Sequence, residues 1–210
     1  MIGKKNGQLV QRVKPAPDHL LAENAALLQA VENAAGFVPN GFYAVGWKPK
    51  VLEAMIQLAL AVLNEEGRIG KELKWLVGNM ASRAVGCRYC WAHTASNALN
   101  LGGASKEKVE AVWEFQTNPL FSDKERAAMN FAVAAASVPN GVNNENFGEL
   151  RKYFDDEEIV EIMSVVSIFG WYNRWNDSMA TLLEEEPLSF AQESLKTGGW
   201  NEGKTTGNWK

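Results

Sequence analysis

Apolar residues recur every three or four positions along most of this chain, a spacing that is typical of amphipathic α-helices. The stretch after Pro49 shows it at Val51, Leu52, Met55, Ile56, Ala59, Val62 and Leu63. Further helices are predicted to begin near Ser105 and Ser122, and Glu125 follows Ser122 at the spacing of a reciprocal capping box. No run of alternating β-branched residues bounded by turns stands out. The sequence therefore predicts an all-α protein, a helical bundle without a sheet of any size.

The last predicted helix is long. Asp155–Glu158 place four acidic side chains at its start, where they interact favourably with the positive end of the helix dipole. The apolar pattern then runs towards Glu186. Pro187 is predicted to mark the end of this helix, because proline does not continue a helix interior.

The chain is predicted to divide into one all-helical domain, residues 1–187, and a glycine-rich C-terminal tail, residues 188–210. The tail carries four glycines among threonine, asparagine and lysine residues. This composition predicts a mobile segment, although Trp200 and Trp209 offer apolar surface that could dock on a neighbouring subunit.

Composition limits the classes of partner. Apolar residues make up 46% of the chain and charged residues 22%, values typical of a globular protein rather than a disordered or membrane protein. The net charge of −4 and the lack of a basic stripe disfavour nucleic acid. The N-terminal segment lacks the apolar stretch of a signal peptide, and no window reaches the ~20 apolar residues of a membrane span. We therefore expect a cytoplasmic protein.

Both cysteines, Cys87 and Cys90, lie within seven residues of the chain together with His93. In a reducing compartment, a lone C-x-x-C pair indicates catalysis, redox activity or metal binding rather than a structural bridge. If the segment forms the first turns of a helix, residues three apart share nearly one face, so Cys90 lies between Cys87 and His93. Cysteines at this spacing fall within the ~4.4–6.8 Å Cα separation that a disulfide tolerates.

This arrangement permits a redox cycle. A helix N-terminus and an imidazole both stabilise a thiolate, which is the reactive form of cysteine. A peroxide could oxidise Cys90 to a sulfenic acid, and Cys87 could then condense with it to form a disulfide. An external reductant would have to reopen that disulfide.

Other chemistry is less consistent with the segment. A structural zinc site needs four ligands, whereas the segment supplies at most three and His19 is the only other histidine. Covalent haem attachment requires C-x-x-C-H, which Trp91 after Cys90 excludes. The cysteines could also be small buried side chains beside a core histidine. We favour the redox interpretation because the three groups are grouped at one helix start, and we expect neither a metal nor a cofactor.

Several segments, in this order, resemble the carboxymuconolactone decarboxylase and alkylhydroperoxidase-like family, in particular its peroxidase-related branch. They are GFVPNGFYAV, GCRYCWAH with the helix that precedes it, FSDKERAAMNFAVAAASVPNGV, and FDDEEIVEIMSVVSIFGWYNRWND. The resemblance covers roughly residues 20–187. It implies an AhpD-like all-helical fold whose subunits associate, commonly as trimers or hexamers.

The resemblance also implies roles for the three clustered residues. Cys90 would be the peroxidatic cysteine, Cys87 the resolving cysteine, and His93 part of a proton relay. The helix dipole alone favours Cys87, which is nearer the N-terminus. We prefer Cys90, because it is placed to contact the histidine and a nearby base activates a nucleophile.

The family's relay usually includes a glutamate twelve residues before the first cysteine, and this chain has Trp75 there. Glu72 lies one turn earlier on the same predicted helix and is a candidate substitute. It could equally be a solvated carboxylate between Lys71 and Lys74.

Roles can also be predicted for Arg174 and for a set of aromatic residues. Arg174 could hold an acidic substrate, but its spacing from Asp177 favours an internal ion pair. Four aromatic residues at helical spacing are predicted to belong to the core: Trp113, Phe115, Phe121 and Phe131.

The resulting hypothesis is an oligomeric thiol peroxidase that reduces hydrogen peroxide or organic hydroperoxides and is regenerated by a thiol reductant. One alternative is a lactone decarboxylase or related isomerase, which needs no cysteine. Another is a non-enzymatic helical oligomer that senses redox state through its C-x-x-C.

Overall fold

The computed structural model describes residues 4–5, 8–9, 11–64 and 67–207. Its α-helices are α1 (Asp18–Leu21), α2 (Ala25–Ala35), α3 (Asn40–Val45), α4 (Pro49–Ala59), α5 (Lys71–Ala84), α6 (Arg88–Asn100), α7 (Lys106–Glu110), α8 (Asp123–Ala136), α9 (Asn144–Leu150), α10 (Asp156–Met179) and α11 (Glu185–Ser194). Short 3₁₀ turns follow α1 and α7, at Ala22–Asn24 and Val112–Glu114, and a π-helical segment, Leu60–Asn64, extends α4.

The prediction of an all-α fold is confirmed. Within the described ranges, the extended structure is limited to a two-residue antiparallel ladder near the N-terminus, between β1 (Lys4–Lys5) and β2 (Gln8–Leu9). None of the described helices is both long enough and apolar enough to cross a lipid bilayer.

Helix α5 forms the centre of the bundle and packs against α6, α8 and α10. Most of its side chains are buried. Gly78 permits the close approach of α10, because a Cβ at that position would lie 2.4 Å from the ring of Phe169. The central helix thus holds α6 and α10 side by side, and these two helices carry most of the polar groups described below.

Side-chain caps define several helix starts, as the sequence indicates. The Ser122 hydroxyl accepts the backbone N–H of Glu125, and the Glu125 carboxylate accepts the backbone N–H of Ser122, which confirms the predicted capping box. Ser105 caps α7 in the same way, through the N–H of Lys108. Such a cap contributes about 1 kcal/mol to stability.

The predicted long last helix is interrupted, which corrects the sequence-based boundary. Helix α10 ends at Met179, and Ala180 adopts a left-handed conformation with φ of 50°. A new helix, α11, begins at Glu185, so Pro187 lies in its first turn rather than at the end of α10. Proline is tolerated there because the first-turn N–H groups have no intrahelical acceptor.

The C-terminal residues pack onto the bundle. The predicted domain boundary at residue 187 falls inside α11, which contacts α6. Trp200 is only 3% exposed, and its indole N–H donates to the carbonyl oxygen of Arg88 at 3.0 Å. Trp200 therefore docks on its own chain rather than on a neighbour, while Trp209 lies outside the described residues.

Three of the four predicted core aromatics, Phe115, Phe121 and Phe131, are buried. Trp113 is the exception, with 39% of its surface exposed. It lies in a short 3₁₀ turn after α7, where the α-helical periodicity behind the prediction no longer applies. Gly198 packs against its ring.

Candidate active site

The two cysteines lie at the start of α6. Cys87 is the N-cap residue, and its sulfur accepts the backbone N–H of Cys90 at 3.4 Å. Gly86 precedes it with φ of +74°, a conformation that glycine adopts without steric cost, and this residue turns the chain from α5 into α6. Both cysteines are free thiols and both are buried.

Cys90 lines a cavity of about 120 Å³, whereas Cys87 is not among its lining residues. Cavities of about 150 Å³ accommodate a benzene ring, so this space suits a small organic molecule. The walls are mainly apolar and rich in aromatic side chains, including Phe42, Trp75, Phe169, Trp171, Tyr172 and Trp175. Trp171 is 38% exposed, which brings the cavity to the molecular surface beside this ring.

The Cys90 thiol is protonated in the resting protein. Burial raises the pKa of Cys90 well above its ordinary value, and the side chain of Cys87 raises it further. A hydrogen bond from Asn176 acts in the opposite direction and lowers this pKa; Asn176 Nδ2 lies 3.5 Å from the Cys90 sulfur. A base must therefore take the thiol proton before Cys90 becomes an efficient nucleophile.

His93 forms its shortest polar contact with a residue that the sequence analysis did not single out. His93 Nε2 lies 2.6 Å from Glu184 Oε2. The other carboxylate oxygen of Glu184 accepts the Tyr89 hydroxyl at 2.8 Å and the backbone N–H of Asn40 at 2.5 Å. The ring of Tyr89 also stacks on His93, with centroids 4.3 Å apart. These contacts fix the imidazole on the cavity wall.

Glu184 is ionised despite its burial. Burial alone would raise the pKa of this carboxyl, but the charge and hydrogen bond of His93, with those of Asn40 and Tyr89, lower it. An ionised carboxylate beside Nε2 favours the tautomer that carries its hydrogen on Nε2. Nδ1 of His93 then carries the lone pair that can accept a proton.

The predicted contact between Cys90 and His93 needs correction. Both residues line the same cavity, as their spacing on one helix predicts. However, the hydrogen-bond donor to the Cys90 sulfur is Asn176, and His93 Nε2 is engaged by Glu184. A proton transfer between Cys90 and His93 would therefore use Nδ1, directly or through one intervening molecule.

Glu72 does not reach the cavity. Its carboxylate pairs with Lys108 Nζ at 2.7 Å, and the same ammonium group binds Glu125. Trp75 is buried in the cavity wall instead, at the position where the resemblance implies a glutamate. The structure thus places Glu184, from the α10–α11 connection, beside the imidazole.

The predicted ion pair between Arg174 and Asp177 is not formed. The Arg174 guanidinium donates to the carbonyl oxygen of Gly170 at 3.3 Å, and Asp177 pairs with Lys204 Nζ at 2.7 Å. The docked C-terminal segment supplies Lys204, which explains why helical spacing alone gave the wrong partner. Arg174 is exposed and does not line the cavity.

A cluster suited to zinc is absent from the part of the chain that the structure describes, since no three His, Cys, Asp or Glu side chains there converge as a ligand set. The site combines groups suited to thiol and acid–base chemistry. Cys90 and His93 line the cavity, Cys87 contacts the backbone of Cys90, and Glu184 contacts His93 from outside the cavity lining.

Comparison with known proteins gives a family match that includes Cys87, Cys90 and His93. Residues 49–134 match the sequence profile of the carboxymuconolactone decarboxylase family. The chain is 30% identical over 93 residues to the uncharacterized protein YnjA of Escherichia coli (strain K12), a match that spans 44% of this chain and 50% of YnjA. It therefore spans half the length of that relative.

Solved structures cover more of the chain. The debrominase Bmp8 is 31% identical to this chain, with a TM-score of 0.79. The match covers 89% of this chain and 97% of Bmp8. That structure contains a cysteine-to-alanine variant of Bmp8 in complex with 2,3,4-tribromopyrrole. A peroxidase-related protein from Ralstonia eutropha JMP134, described as an alkylhydroperoxidase AhpD core, shares the fold at 22% identity and a TM-score of 0.74, over 88% of this chain and 96% of that one. The chain belongs to the carboxymuconolactone decarboxylase family and has the AhpD-like helical fold.

Proposed function

We propose that this protein is a dithiol-dependent peroxidase that reduces small organic hydroperoxides, with Cys90 as the attacking sulfur and Cys87 as the resolving thiol. One observation carries the proposal. Cys90 and His93 line the same apolar cavity, Glu184 contacts the imidazole of His93, and Cys87 adjoins Cys90 from the preceding turn, outside the cavity lining. A nucleophile, a base and a second thiol are thus combined at one site.

The first step activates the thiol. Burial keeps Cys90 protonated, so His93 Nδ1 accepts its proton when a substrate fills the cavity and excludes water. Glu184 stabilises the imidazolium that forms, because its carboxylate is ionised and lies 2.6 Å from Nε2. The thiolate then attacks the terminal oxygen of the hydroperoxide.

The remaining steps balance with one external reductant. The O–O bond breaks, the departing alkoxide takes the proton from His93 to give an alcohol, and Cys90 becomes a sulfenic acid. The thiol of Cys87 attacks this sulfur, water leaves, and a Cys87–Cys90 disulfide forms. Two equivalents of a thiol reductant return both cysteines to thiols and become a disulfide themselves.

The lining of the cavity favours organic hydroperoxides over hydrogen peroxide. Aromatic side chains surround Cys90, and burial of an alkyl or aryl group against them contributes roughly 25 cal/mol per Å². Hydrogen peroxide has no apolar group to bury. We therefore expect cumene hydroperoxide to have the lower KM.

A second candidate function is reductive dehalogenation of a small aromatic compound. The similarity to the debrominase Bmp8, over almost the whole of that protein, favours it. The same two thiols would supply the electrons: an aryl bromide and two thiols would yield the arene, hydrogen bromide and the Cys87–Cys90 disulfide. Lactone decarboxylation, from the family's name, would require neither cysteine.

Two parallel assays test these activities with dithiothreitol as reductant. One follows consumption of cumene hydroperoxide, and the other follows bromide release from 2,3,4-tribromopyrrole. We expect Cys90→Ser to abolish hydroperoxide turnover. With dithiothreitol left out, we expect Cys87→Ser to allow a single oxidation of Cys90. Each variant is the control for the other, because both replace one buried thiol with a hydroxyl and differ only in which cysteine is lost. Full hydroperoxide turnover by Cys90→Ser would refute the peroxidase assignment, and bromide release without hydroperoxide turnover would replace it with the second candidate.

A further inference from the structure

Three side chains on one face of α10 line the cavity, and each carries a polar atom without a hydrogen-bond partner among the described residues. The polar groups are the Tyr172 hydroxyl, the Trp175 indole N–H and the Asn176 side-chain oxygen, and each of these atoms is buried. Residues at i, i+3 and i+4 of a helix are neighbours on its surface, so the three side chains line the cavity from the same side. Buried polar groups are nearly always hydrogen-bonded, and an exception calls for an explanation.

Tyr172 lines the cavity with Cys90 and carries one of the unpartnered donors. Burial raises the pKa of Tyr172 above its ordinary value, and the charge of a Cys90 thiolate raises it further, which requires the two groups to be near each other. The hydroxyl therefore keeps its hydrogen throughout the neutral pH range. It is a donor that remains available beside Cys90 when the thiolate forms.

The ring of Tyr172 is held in place by its aromatic neighbours. It stacks on Phe42 with centroids 6.2 Å apart, and it makes edge contacts with Phe169 at 5.9 Å and Trp171 at 5.5 Å. A donor fixed in this way is preorganised, so it loses little conformational freedom when a ligand accepts its hydrogen bond.

The other polar groups near Cys90 are already engaged. Tyr89 donates to Glu184, His93 Nε2 contacts Glu184, and Asn176 Nδ2 contacts the Cys90 sulfur. Among the described groups in the cavity wall, the Tyr172 hydroxyl and the Trp175 N–H thus combine burial with an unused donor hydrogen. Neither donor has an acceptor within the described part of the chain, so a ligand or a water molecule in the cavity can supply one.

We propose that the Tyr172 hydroxyl, assisted by the Trp175 N–H, donates a hydrogen bond to the oxygen that leaves when the Cys90 sulfur attacks a hydroperoxide. This inference rests on the proposed function and specifies its substrate class. The ligand is a small apolar molecule that carries a hydrogen-bond acceptor next to the atom under attack. Tyr172 stabilises the developing alkoxide without giving up its hydrogen, and the proton that converts the alkoxide to alcohol comes from His93.

The first test compares leaving groups in Tyr172→Phe, which removes the hydroxyl and keeps the ring. Loss of one preorganised donor costs about 100-fold in rate when charge develops on the acceptor. We expect a decrease of that order in kcat/KM for cumene hydroperoxide and a much smaller decrease for peracetic acid, whose leaving carboxylate needs little stabilisation. Tyr153→Phe, in the turn after α9 and outside the cavity lining, is the matched control. An equal decrease for both oxidants, or none, would overturn the inference.

The second test does not depend on turnover. In the Cys90→Ser background, calorimetry measures the binding of 2-phenyl-2-propanol, which carries an acceptor oxygen, and of cumene, which does not. Loss of one hydrogen bond of about 1 kcal/mol corresponds to roughly fivefold in affinity. We expect Tyr172→Phe to weaken binding of the alcohol by about that factor and to leave the affinity for cumene unchanged. Unchanged alcohol binding would contradict the inference while the peroxidase proposal stands. Selective weakening, combined with a wild-type protein that consumes no hydroperoxide, would refute the peroxidase proposal and support the acceptor site.

Discussion

Glu184 and His93 are 91 positions apart in the sequence, yet the carboxylate oxygen of Glu184 lies 2.6 Å from His93 Nε2. The pair is largely shielded from solvent, and its carboxylate also accepts hydrogen bonds from Tyr89 and Asn40. In the proposed cycle, Glu184 sets the tautomer of His93 and stabilises its protonated form. It is a positioning residue that acts through the imidazole.

The first prediction concerns this role. Glu184→Gln keeps the shape of the side chain and removes its charge. The imidazolium of His93 then lacks the negative charge that stabilises it. Loss of a carboxylate that orients a functional histidine typically costs about 10–100-fold in activity. We expect a decrease of that size in kcat for cumene hydroperoxide, with KM changed much less. Glu193→Gln, an exposed residue of α11, is the control and should retain full activity.

The second prediction concerns acid stability. The pKa of Glu184 in the folded protein is lower than its value of about 4.3 in an unfolded chain. Its carboxylate therefore stabilises the fold at pH values above 4.3, and this contribution is lost as the pH falls through the folded-state pKa. Urea denaturation at a series of pH values from 7 to 3 should show a steeper loss in unfolding free energy for the wild type than for Glu184→Gln. Parallel curves for the two proteins would contradict the assignment of Glu184 as ionised.

The third prediction concerns the reactivity of Cys90. Burial and the side chain of Cys87 raise the pKa of this thiol, so little thiolate exists at pH 7 without substrate. Alkylation of Cys90 by iodoacetamide, followed by peptide mass spectrometry, should be slow at pH 7 and still increase above pH 9. Asn176→Ala removes the hydrogen bond that lowers this pKa and should shift the profile to higher pH. A rate that levels off below pH 8 would show instead that the resting thiol is activated.

The fourth prediction concerns assembly. Large apolar side chains are exposed along a groove between α4 and α10: Val51, Leu58, Val160, Met163 and Trp171. Contiguous exposed apolar surface of this kind marks an interaction site, and the family resemblance implies a homo-oligomer. Val160→Lys should reduce the mass measured by light scattering towards the 23.2 kDa of one chain. Val138→Lys changes a still more exposed valine just after α8 and should have no effect. A wild-type mass of one chain would contradict the prediction.

Local signals accounted for much of the fold and for part of the site. Ser122 and Glu125 form the capping box that their spacing predicts. Cys87, Cys90 and His93 lie together at a helix start, as predicted. Both features depend on neighbours within one or two helical turns. These contacts are decided by the backbone geometry of a single helix. Sequence spacing is sufficient to identify them.

The sequence analysis missed Glu184 as the partner of His93, because Glu184 lies in a break between α10 and α11 that the sequence hardly indicates. Ala180 adopts a left-handed conformation without a glycine, so α10 and α11 resembled one continuous helix. A signal was present in Glu185, Glu186 and Pro187, since acidic residues and proline are favoured in a first helical turn. The partner of Asp177 was missed for a related reason, because Lys204 reaches it from the C-terminal segment.

The most direct test of the account is the fate of the two sulfurs after one equivalent of cumene hydroperoxide. Mass spectrometry of the wild type should find a Cys87–Cys90 disulfide. In Cys87→Ser, dimedone should trap a sulfenic acid on Cys90, because the attacking sulfur is oxidised and the resolving thiol is missing. A sulfenic acid that forms on Cys87 in Cys90→Ser, at the rate at which the wild type consumes hydroperoxide, would contradict the assignment of Cys90 as the attacking sulfur.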